Sequence, residues 1–153
     1  MTIHTVPLRS RSSAVALSAA LAATSFVGVG TGSGTAAAQQ AAAPRLVAEL
    51  EGTDTGDPDG TGYAVVRLFK AKRKVCATIT WSKIATPNAA HIHRRSDGGI
   101  VVGLSGSVTG GATCARKVPK PTIRKIVEHP RRYYVNVHNE DYPAGAIQGV
   151  LHR

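Results

Sequence analysis

Three histidines in the 153-residue chain have a spacing with chemical content. His91 and His93 stand in AAHIHR, and His138 closes YYVNVH. In a β-strand, residues i and i+2 project from one face. His91 and His93 therefore share a face, and Ile92 takes the other. By the same alternation Tyr134, Asn136 and His138 share a face, opposite Tyr133, Val135 and Val137. If the two strands are neighbours with both apolar sets in the core, all three imidazoles converge. Neutral imidazole is a good ligand for copper and zinc, so His91, His93 and His138 form a candidate mononuclear Cu or Zn site. The competing expectation is structural. The histidines would then hydrogen-bond one another and nearby loops, with Asn136 and Tyr134 as partners, and hold the Pro143–Gly149 turn. No cofactor is required on that view.

Little else carries chemistry. There is no Gly-x-Ser-x-Gly elbow, no Cys–His nucleophile pair and no phosphate loop. Asp54, Asp57 and Asp59 crowd into one turn but lack the ligand pattern and closing Glu of an EF-hand, so a solvated turn is expected. The expectation is a non-enzymatic binding or structural module.

The elements that must position these residues begin after a different kind of sequence. Arg9 and Arg11 precede an apolar stretch from Ala14 to about Gly30, followed by small residues around Ala36-Ala37-Ala38. Basic, apolar and small-residue regions in that order read as a secretory signal peptide. Residues 1–43 are thus a signal peptide and Ala-rich segment, with cleavage near Ala38 or Ala43. Ser18, Thr24, Ser25, Gly28 and Gly30 interrupt the apolar run, which argues against a retained anchor. The protein is expected to be secreted or envelope-associated, with no membrane span after cleavage. Cys76 and Cys114, in an exported chain, read as one disulfide.

Residues 44–153 form the single expected domain. Alternation marks strands at Leu46–Glu51, Tyr63–Phe69, Val75–Trp81, Ala89–Arg94, Ile100–Leu104, Tyr133–His138 and Ala146–Leu151, with Cys114 at the end of a further short strand or in a loop. Thr122–His129, between Pro121 and Pro130, predicts one short helix with Ile123, Ile126 and Val127 inward. The fold class is all-β: an antiparallel β-sandwich of about seven or eight short strands with one short helix.

The formal charge is +10. Removal of residues 1–43 takes away two arginines and no acid, which leaves +8. The excess base clusters at Lys70, Lys72, Arg73 and Lys74, at Arg94 and Arg95, and at Arg131 and Arg132. Smaller groups are Arg116, Lys117 and Lys120, and Arg124 and Lys125. Such clusters suit an envelope or extracellular polyanion; the plainer alternative is a solvated surface. Export and the lack of a recognition helix disfavour sequence-specific nucleic acid. Nothing specifies a protein partner.

Taken together, His91-Ile92-His93, Gly98-Gly99, Val101-Val102, Tyr134 to His138 and Pro143 to Leu151 resemble the signature of the CHRD (chordin-type) domain. GDPDGTGYAVVRL resembles that family's first hairpin. The resemblance covers about residues 45 to 152 and implies a secreted, bacterial single-domain protein, with little implied about activity. Gln148 stands where the family usually has Arg, and Arg94-Arg95-Ser96 replaces the usual Arg-Gly-rich stretch. A second resemblance is to copper–zinc superoxide dismutases, which pair a His-x-His strand with a later Val-His strand on a β-sandwich. It implies His91, His93 and His138 as copper ligands and dismutase-like activity. No bridging histidine, separate His/His/Asp zinc cluster or substrate-guiding arginine accompanies them here.

Overall fold

The computed structural model describes residues 42–153. The expected signal segment, with the Ala38 site, lies almost wholly outside the described residues. Eight strands follow: β1 (Arg45–Gly52), β2 (Thr61–Phe69), β3 (Lys74–Ser82), β4 (Ala89–Arg94), β5 (Ile100–Gly103), β6 (Cys114–Ala115), β7 (Tyr133–His138) and β8 (Ile147–Val150). One helix, α1 (Lys120–Glu128), stands between β6 and β7. The strands rest on alternation of β-branched and polar residues. In β3, Val75, Ala77 and Ile79 are buried, while Thr78 and Thr80 face water. β4 and β7 have the bounds expected from the sequence.

The helix begins two residues earlier than its pattern suggested. Pro119 takes the N-cap position and Pro121 falls inside the first turn. There a missing N–H costs no hydrogen bond. Ile123 and Ile126 are buried and Val127 is partly so, as the spacing required. Pro130 ends the helix and opens a 3-10 turn, Pro130–Arg132, that leads into β7.

All pairings are antiparallel, as expected, but the sandwich is made differently. One sheet of order β5-β4-β7-β8-β1-β2-β3-β6 forms both layers. It curls so that apolar residues from both halves, among them Val66, Leu68, Val75, Ile92, Val135 and Val137, share one core. The gap between the sheet's ends is partly covered by the 3-10 turn Ser105–Ser107, which touches both β4 and β3. The sheet is thus nearly closed, between a sandwich and a barrel.

β8 joins the two halves. It pairs with β7 at Tyr134↔Val150 through Val137↔Ile147, and with β1 at Glu51↔Gln148 and Gly52↔Ile147. Gly149 is required at this join, because a Cβ there would collide with the Glu49 carbonyl. At the far edge a disulfide links Cys76 of β3 to Cys114 of β6, which are register partners. No helix among the described residues is long and apolar enough to cross a membrane.

Candidate metal centre on β4 and β7

β4 and β7 are neighbours in register, with Ala89 opposite His138, His91 opposite Asn136 and His93 opposite Tyr134. Ile92, Val135 and Val137 are fully buried on the core face. Alternation therefore sends His91, His93 and His138 to the outer face together. A register shift between Ile92 and His93, in the pairing of β4 with β5, falls at the site itself. Such irregularities re-aim side chains.

An outward face would ordinarily be wet, yet His93 is 7% exposed and His138 9%. Two loops cover them. The β4–β5 turn brings the Gly98 carbonyl to His93 Nδ1 at 2.8 Å. The β7–β8 loop brings the Pro143 carbonyl to His138 Nδ1 at 3.0 Å. Asn136 Nδ2 donates to the Ala144 carbonyl of the same loop at 3.0 Å. Gly145 closes it with φ 137°, pressed against the Asn136 amide.

These contacts settle the tautomers. A carbonyl can only accept, so in the neutral rings His93 and His138 each donate through Nδ1–H and carry a bare Nε2. His138 Nε2 then accepts from His91 Nδ1, at 3.1 Å. His93 Nε2 is buried and has no hydrogen-bond partner. A backbone carbonyl on the far nitrogen is the usual way a protein orients a ligating imidazole.

The three rings offer nitrogens that all lie within 4.8 Å of one another. Two nitrogens bound tetrahedrally at zinc-like distances of 2.0–2.1 Å would sit about 3.3 Å apart. The 3.1 Å His91–His138 spacing already approaches that figure. Even the widest pair needs to close by only about 1.5 Å. Burial, reinforced by neighbouring imidazoles, holds His91 and His138 below the ordinary histidine pKa. Both are thus kept in the neutral form that binds metal.

Asn136 and Tyr134, expected as hydrogen-bond partners of the histidines, act differently. Asn136 fastens the loop. Tyr134 stacks on His93, with ring centroids 5.0 Å apart and planes 19° from parallel. The Gly98 and Pro143 carbonyls were not foreseen as partners, because backbone acceptors leave no residue-type signal. Asp54, Asp57 and Asp59 do not join a metal-competent group; among the described residues the histidine trio is the one such cluster.

The basic residues separate into different places. Lys70, Lys72, Arg73 and Lys74 form the β2–β3 tip, where Arg73 donates to the Lys117 carbonyl and Lys74 lies over the Phe69 ring. Arg94 ends β4 and Arg95 follows it, whereas Arg131 and Arg132 precede β7. Those four line one cleft.

The chain matches the CHRD domain family over residues 46–151 and belongs to that family. No curated protein and no solved structure matches it.

Proposed function

We propose that the chain is a secreted, non-enzymatic CHRD module that binds one copper-class metal ion through His91, His93 and His138. The observation that carries this is the bare Nε2 of His93, buried without a partner beside two other imidazoles. An unpaired buried acceptor costs roughly 1–3 kcal/mol, and a metal ion bound at His93 Nε2 would relieve that cost. Imidazole serves copper and zinc alike, and copper is favoured by the affinity order of divalent metals. Ligand atoms are two Nε2, from His93 and His138, and the Nδ1 of His91, whose proton passes to its own Nε2 by exchange with solvent. The disulfide supports an oxidising, extracellular setting.

Titration of the full chain with Cu(II) and with Zn(II) tests this. One equivalent should bind, copper more tightly, and His93→Ala should weaken copper binding at least tenfold while the protein still unfolds cooperatively. Equal copper affinity in His93→Ala would remove the proposal. A superoxide assay of the copper-loaded chain should show no turnover that disappears in His138→Ala.

A further inference from the structure

The second feature worth a function lies away from the histidines. A cleft of about 610 Å³ opens between the β4–β5 turn, α1 and the turn before β7. Six cations line it: Arg94, Arg95, Arg124, Lys125, Arg131 and Arg132. All six are exposed. Glu128 is the acid on its wall, 3.9 Å from Arg124, and Asp97 takes up Arg94 at 3.1 Å. Six cations against two acids leave an excess of four.

The cations come from three chain segments, and backbone contacts fix two of them against each other. The Arg95 N–H donates to the Arg132 carbonyl at 2.9 Å. The Arg95 guanidinium donates to the Arg131 carbonyl at 3.2 Å. The Arg132 N–H in turn donates to the His129 carbonyl at 3.0 Å, closing the turn. The charge is therefore presented by a shaped wall built from separate segments. The β2–β3 tip is one turn, where Arg73 is held by the Lys117 carbonyl and Lys74 by the Phe69 ring.

We infer that this cleft binds a flexible anionic polymer carrying phosphate or sulfate esters. Five of the six cations are arginine, whose planar fork takes two oxygens of a phosphate or sulfate at once. Its cations surround one opening from three chain segments, an arrangement that suits a chain able to bend to meet them. None of the three metal-site histidines lines it, so the inference stands apart from the copper proposal.

Retention of the full chain on immobilised heparin, and separately on a glycerol-phosphate polymer, tests the cleft. Retention on one support or on both names the ester. With about four contacts, affinity should fall roughly 50-fold between 50 and 200 mM salt. Arg131→Gln/Arg132→Gln should weaken retention strongly and flatten that salt dependence. Lys70→Gln/Lys72→Gln, which removes the same charge at the tip, should have a much smaller effect. No retention on either support, an unaffected cleft variant, or a tip variant that loses as much would each overturn the inference.

Discussion

His138 and His91 lie one hydrogen bond apart, and both are pushed by burial below the ordinary histidine value near 6.5. A depressed folded pKa means that the unfolded chain binds protons more readily. Stability is then fully present above about pH 6.5 and is lost as pH falls through the depressed values. Urea unfolding of the metal-free protein should show a lower midpoint at pH 5.5 than at pH 7.5. That drop should shrink in His91→Gln, and an identical drop in the variant would mean that the pair is not responsible. His152 behaves oppositely. Its bond to Glu49 at 2.8 Å raises its pKa and lowers that of Glu49. The contribution of that pair is fully present between the two groups' ordinary values and is lost as pH rises through the raised His152 value or falls through the lowered Glu49 value. Gly145 supplies a stability test at the same scale. Gly145→Ala must tolerate a positive φ and displace Asn136, so it should cost about 1–3 kcal/mol in urea unfolding. The histidines themselves were legible from two-residue spacing on β4 and β7. The carbonyls that set their tautomers were not, because Gly98 and Pro143 act through backbone atoms that every residue has.

At the scale of elements, β6 is the instructive case. Two residues cannot hold a strand at a sheet edge by ladder bonds alone, yet Cys114 and Ala115 pair with β3. The disulfide supplies the hold, and on the loop-entropy account it contributes roughly 4 kcal/mol. Cys76→Ser/Cys114→Ser should therefore lose about 2–4 kcal/mol of unfolding free energy. Metal affinity should barely change, because β4 and β7 lie in the other half of the sheet. A double variant as stable as the parent would show that β6 contributes nothing. Strands with strong alternation, such as β3, β4 and β7, could be read directly from their residues. The start of α1 could not, because a proline inside the first turn and a proline at the cap give nearly the same local signal.

For the whole molecule, the antiparallel all-β class followed from short alternating segments, but the single curled sheet did not. Alternation tells which face of a strand is buried and not which strand lies beside it. The insertion of β8 between β7 and β1 is such a non-local choice, with no trace in local pattern. It makes Ile147 a shared component of both ladders and of the core. Ile147→Ala should cost about 2–5 kcal/mol and lower the unfolding midpoint as one cooperative transition. Two separated transitions would mean that the halves stand independently.

That join also has a consequence in time. β8 is the last of the described strands, and in the ladder it is the link between β5-β4-β7 and β1-β2-β3-β6. The β1–β2–β3 and β4–β5 pairings close short loops and form early, whereas β8 reaches β1 across almost the whole described chain and docks late.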